Sequence, residues 1–186
     1  MNKLKKYFLP TFIGLLVLLT LACIASCLIP AFIPADPIKL AGSMLDVDIP
    51  EGSTVLTNND TGGRLPFPGG ASDGATFIIL QIPPEKVVEF ADTLADSPSW
   101  KALPLSPEFA GHEEEFQPSF GIEGTIPITT STGYYFFVDW QEEHNKETGE
   151  QEYDTTKPFY ERISENFTFG LFNDKDGKLY VWGIDT

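Results

Sequence analysis

The sequence predicts an α+β fold: an antiparallel sheet of four to five strands with one main helix on one face, preceded by an N-terminal transmembrane or signal helix. Three observations carry this. Residues 7–35 contain no charged side chain. Only one later segment, Pro84–Asp96, repeats apolar residues convincingly at helical spacing. Four short runs rich in β-branched and aromatic residues surround it, one before and three after, each bounded by turn formers. The 186 residues therefore divide into a membrane anchor or lipoprotein signal segment (1–34), a tether and irregular loop (35–72) and an extracytoplasmic α+β domain (73–186).

The N-terminal segment sets the address. Between Pro10 and Pro30 lie 19 uncharged residues, about 28 Å as a helix at ~1.5 Å per residue, close to the hydrocarbon thickness of a bilayer. Lys3, Lys5 and Lys6 precede the stretch, and Asp36 and Asp46 follow it. That asymmetry leaves the N-terminus in the cytoplasm and the rest outside. The length fits an uncleaved signal anchor better than a secretory signal peptide. Ile24-Ala25-Ser26-Cys27 resembles a bacterial lipobox, which makes Cys27 a candidate lipidation site; the apolar run after it, from Leu28 to Pro34, is unlike a polar lipoprotein tether. Both alternatives give one topology: a single N-terminal attachment to the cell membrane with the C-terminal domain outside the cytoplasm. Cys23 and Cys27 are the only cysteines, so the exported domain has no disulfide and must rely on its core.

Residues 35–71 are punctuated by Pro, Gly, Asp and Asn, with one candidate strand at Ser53–Thr57. Ala75–Ile82 follows as a well-buried strand. Pro84 then opens the helix, where a first-turn proline and Glu85 suit the positive end of the dipole. Val87, Phe90, Ala91, Leu94 and Ala95 form its apolar stripe. Trp100, Leu103 and Leu105 are expected beneath that helix. Tyr134–Trp140 is the next strand, and Gln141–Lys157 a charged loop without apolar period. Phe167–Phe172 and Leu179–Ile184 form a hairpin across Asn173–Lys178, where Asp and Asn start the turn and Gly177 completes it. Alternation puts Phe167, Phe169 and Leu171 on one face, and Tyr180, Trp182 and Ile184 on one face of the next strand. Phe77, Ile79, Val87, Phe90, Leu94, Phe137, Phe169 and Trp182 are the expected core.

Several segments resemble an uncharacterised family of small exported or membrane-anchored bacterial proteins. They are Asp73-Gly74, Trp100 to Ser106, Gly133 to Asp139, Arg162 to Phe169 and Leu179 to Thr186. The resemblance runs from about Asp73 to the C-terminus. It implies a bacterial, outward-facing protein and supplies neither an activity nor site residues.

Charge excludes one class of partner. The chain has 12 Lys+Arg against 27 Asp+Glu; only Lys3, Lys5 and Lys6 precede Asp36, so the remainder carries 9 basic residues and all 27 acids, a net of −18. Such a domain repels phosphate backbones, and no nucleic-acid partner is expected. Gly70-Ala71-Ser72-Asp73-Gly74 matches G-x-S-x-G, but a nucleophile elbow needs a strand before and a helix after, and here a loop precedes and a strand follows. Asp96 or Asp139 could complete a triad with His112 or His144 only on paper. His112-Glu113-Glu114-Glu115 and Glu142-Glu143-His144 set both histidines beside carboxylates without H-E-x-x-H spacing. Asp174-Lys175-Asp176-Gly177 echoes a calcium loop but lacks its first Asp and its final Glu. No catalytic, cofactor or metal residue is assigned, and no cofactor is expected. The expected function is a non-enzymatic binding or structural domain at the cell envelope, held by the membrane and facing an unidentified protein or envelope partner, with surplus strand aromatics as a candidate exposed patch. The alternative is a small exported hydrolase using Ser72, or a metal-dependent one using His112 or His144.

Overall fold

The computed structural model describes residues 36–61 and 74–185 except Phe120, Glu150 and Glu152. The expected anchor, Cys27 and Ser72 lie outside the described residues. The fold is α+β, a six-stranded antiparallel sheet in the order β1-β2-β6-β5-β4-β3. Its strands are β1 (Thr54–Asp60), β2 (Gly74–Gln81), β3 (Trp100–Ala102), β4 (Gly133–Asp139), β5 (Asn166–Asn173) and β6 (Lys178–Asp185). The α-helices are α1 (Pro37–Leu45), α2 (Val87–Asp96) and α3 (Trp140–Thr148).

The centre of the sheet follows the expected alternation. Phe167 pairs with Ile184, Phe169 with Trp182 and Leu171 with Tyr180, and all six side chains enter one core cluster. The connecting turn closes with Gly177 at φ 67°, and the Gln81 amide donates to the carbonyls of Asp176 and Gly177, clasping the hairpin tip to β2. A 3-10 turn at Pro84–Lys86 leads into α2, which buries Phe90 and Leu94 against the sheet. Val87 and Ala91 are half-buried, and Ala95 faces solvent. Of the expected core, Phe77, Phe90, Leu94, Phe169 and Trp182 are buried, whereas Ile79, Val87 and Phe137 are only partly covered.

The sheet is covered on both faces. On one lie α1 and α2, packed on Ile78, Leu80, Phe136, Phe172, Leu179 and Val181. On the other lies a layer of irregular chain that delivers Phe109, Phe116, Ile122, Ile126, Ile128 and Phe159 onto Phe77, Tyr135, Phe169 and Trp182. Phe116 stacks on Phe169 with centroids 4.5 Å apart. The Gln117 side chain both donates to and accepts from the Ile126 backbone, at 2.9 and 2.8 Å, as a neighbouring strand would. Two expectations change here. Leu103 and Leu105 pack in this second layer rather than beneath α2, although Trp100 does join the helical side. The surplus aromatics are consumed by two-sided burial: from Phe167 to Phe172 every residue of β5 is buried.

Two further differences concern local structure. Residues 36–61, expected within a tether apart from the candidate strand at Ser53–Thr57, form α1 and β1 of the same compact unit; β1 covers most of that candidate and runs on to Asp60. Asp36 caps α1 by accepting from the Ile38 amide at 3.0 Å, and Pro37 opens its first turn. Residues 140–148, expected within a charged loop, form α3. That helix has almost no apolar face, burying only Gln141, and is held by its ends: Asp139 caps its start and Gly149 closes it at φ 70°.

Candidate functional site: a cleft around Arg162

Asp139 is the last residue of β4 and the N-cap of α3, so strand and helix together fix its carboxylate. Its Oδ1 accepts from the Glu142 amide at 3.3 Å. Arg162, which follows the 3-10 turn Phe159–Glu161, meets it from the other side. Arg162 Nη1 lies 3.0 Å from Asp139 Oδ1 and 2.7 Å from Oδ2, and donates to Gln141 Oε1 at 3.3 Å. Arg162 Nε donates to the Lys157 carbonyl at 2.9 Å. Gln141 in turn donates to the Ser164 carbonyl and hydroxyl. Both charged side chains are only 8% exposed.

A buried ion pair adds little net stability over an apolar pair of the same shape, but removing one partner costs about 3–5 kcal/mol because the other is left charged in a poorly solvated place. Here the guanidinium makes four contacts and is thereby immobilised. These contacts use Nε and Nη1. Nη2 has no protein acceptor among the described residues.

Arg162 and Asp139 line a cleft of about 360 Å³. Phe109, Phe137, Phe159 and Tyr160 form its apolar wall, with Phe109–Phe137 and Phe137–Phe159 centroids 4.9 and 5.0 Å apart. Lys101, Lys157, Thr155, Thr156, Glu108 and Glu142 complete the lining. Lys101 and Glu108 are 3.9 Å apart, both well exposed, a contact too wet to hold either side chain firmly.

The residues singled out in the sequence are placed as follows. His112 stacks on Tyr160, a residue of the cleft wall, with ring centroids 3.9 Å apart. His144 lies in α3 with its ring edge-on to Tyr153 at 5.4 Å. No three His, Cys, Asp or Glu among the described residues are grouped to hold a metal ion. Asp139, one of the two paper triad acids, is turned to Arg162 and the Glu142 amide. Asp174 to Gly177 is the hairpin turn, with Asp174 accepting from Thr132 Oγ1. The candidate aromatic patch reduces to Trp140, 43% exposed, with its indole nitrogen donating to Thr168 Oγ1.

Sequence reasoning missed the Asp139–Arg162 pair. Asp139 ahead of Gln141-Glu142 has the form of an N-cap. Nothing local couples residues 23 positions apart; the β4–β5 register does. No family model, no curated protein and no solved structure matches the chain.

Proposed function

We propose that this chain is a bacterial, membrane-anchored extracytoplasmic protein whose folded part is a non-enzymatic binding domain at the cell envelope. The observation that carries this is the uncharged stretch Tyr7–Ala35 behind Lys3, Lys5 and Lys6, which leads directly into a folded domain beginning at Asp36. Among the described residues no helix is long and apolar enough to cross a membrane. The binding role is supported by a preformed cleft with an aromatic wall and an immobilised guanidinium, the usual make-up of a recognition pocket. The net −18 after Ala35 directs the remaining surface toward basic partners.

Fractionation of cells expressing the full chain tests the address: the chain should sediment with membranes and be digested by protease added to spheroplasts. Recovery in the cytosol, or protection from protease, defeats the reading. Cys27→Ala separates the two modes of attachment, because lipid incorporation that disappears in this variant identifies a lipoprotein. Esters, peptides and phosphoesters offered with and without divalent metals should give no turnover; turnover abolished by Ser72→Ala, His112→Ala or His144→Ala would replace the binding domain with a hydrolase.

A further inference from the structure

We infer that the cleft around Arg162 is a recognition site for a small monocarboxylate with an apolar or aromatic body; this rests on the binding-domain reading above and gives that domain a ligand class. Charge is the first reason. The chain after Ala35 has nine basic residues, and three of them, Lys101, Lys157 and Arg162, line this one cleft. In a strongly acidic domain this is a place where cations gather.

Arg162 is the second reason. Its side chain is more than nine-tenths buried, and Asp139, Gln141 and the Lys157 carbonyl fix its plane through Nε and Nη1. Among the described residues Nη2, on a side chain that lines the cleft, has no protein acceptor. A planar, preorganised guanidinium with donors to spare matches a planar carboxylate and loses little entropy in binding it. Lys157, an exposed residue of the lining, adds a second cation.

The remaining lining decides the rest of the ligand. Phe109, Phe137, Phe159 and Tyr160 offer an apolar surface beside the guanidinium, so the body attached to the carboxylate is apolar. About 360 Å³ is a small-molecule volume rather than a groove for a folded partner. Glu108, Asp139 and Glu142 match the three cations in number, so the lining has no net positive charge to offset the second charge of a dianion. A carboxylate is therefore favoured over a phosphate dianion.

The test titrates the full chain in detergent with 3-phenylpropanoate, its uncharged amide, and phenyl phosphate, by calorimetry. The carboxylate should saturate below roughly 10 mM and the amide and the phosphate should bind at least about tenfold more weakly. Lys157→Ala should weaken the carboxylate about threefold to tenfold at an unchanged melting temperature, since its backbone carbonyl rather than its side chain supports Arg162. Arg162→Lys should lose binding altogether. Equal affinity for acid and amide, tighter binding of phenyl phosphate, or no saturation by the acid would overturn the inference. If such a chain still sediments with membranes, is still digested by protease added to spheroplasts and still turns over no substrate, the ligand class fails alone and the reading of a non-enzymatic extracytoplasmic domain stands.

Discussion

Asp139 ends β4 and Glu165 immediately precedes β5, and their surroundings differ. Asp139 is buried with its countercharge. The half-buried Glu165 carboxyl is pushed above its ordinary value, first by loss of water and then by the negative charge of Glu115. An acid whose folded-state pKa is raised binds its proton more tightly folded than unfolded. Its contribution to stability is therefore fully present below the ordinary value and is lost as pH rises through the raised one. Glu165→Gln removes that dependence: relative to the parent, the variant should gain melting temperature at about pH 7 while changing little at about pH 4, where the parent carboxyl is largely protonated. Glu115→Gln should act in the same direction and less strongly, because its charge is the smaller cause. Thermal melts at the two pH values decide it, and equal shifts at both would show that packing rather than ionisation is responsible.

The α1 helix shows how an element escapes periodicity and still leaves a trace. Ile38, Ala41 and Leu45 have helical spacing, and Asp36-Pro37 has the form of a cap and first turn, but Gly42 and Ser43 interrupt the pattern amid a Pro- and Gly-rich stretch. The complementary signal lies far away, in the glycines inside two strongly apolar strands, which mark a close approach of another segment. A Cβ on Gly170 would fall 2.5 Å from Leu45 Cδ2, and one on Gly183 would fall 2.4 Å from Met44 Cε. The surroundings differ in a useful way. At Gly170 the Trp100 ring and Phe136 Cβ also close in, at 3.2 and 3.3 Å; at Gly183 only the mobile end of Met44 is tight. Gly170→Ala should therefore cost about 1–3 kcal/mol in urea unfolding and Gly183→Ala less than about 1 kcal/mol. In a Leu45→Ala background the Gly170→Ala cost should shrink; if it does not, α1 is not what fills that space. The strands β2, β4, β5 and β6 and the helix α2 were legible because their apolar patterns are strong and local. By contrast α3 was not, since caps and the Lys146 contacts to Glu142 and Glu143 hold it instead of an apolar face. The cleft was not, because Arg162 and Asp139 meet only through strand register.

Two-sided burial of the sheet governs what the whole molecule can present to a partner. One covering layer is helical and readable; the other is irregular chain whose Phe109, Phe116 and Phe159 follow no period, so the aromatic count looked excessive for a sheet with one buried face. Once those rings are inside, the exposed large apolar side chains among the described residues are Val55, Leu56, Val88, Trp140, Tyr153 and Ile163. They do not make an aromatic docking face. In the proposed binding role, recognition falls to two features of different electrical character: an acidic surface, and a cleft whose cations and acids are equal in number. Salt separates them. A basic envelope partner attracted by the acidic surface is felt over a Debye length of roughly 10 Å at 0.1 M salt, and that attraction collapses as ionic strength rises. A ligand in the cleft meets an immobilised, poorly solvated guanidinium at contact distance, where screening by mobile ions is weak. Raising salt from about 50 to about 300 mM should therefore reduce several-fold the amount of any envelope protein that crosslinking attaches to the folded domain. Over the same range, 3-phenylpropanoate affinity should change less than about twofold. Quantitative crosslinking and calorimetry on one preparation measure both. Partner capture indifferent to salt would mean that apolar contact rather than the acidic surface holds the partner, and would leave the net charge with no part in recognition.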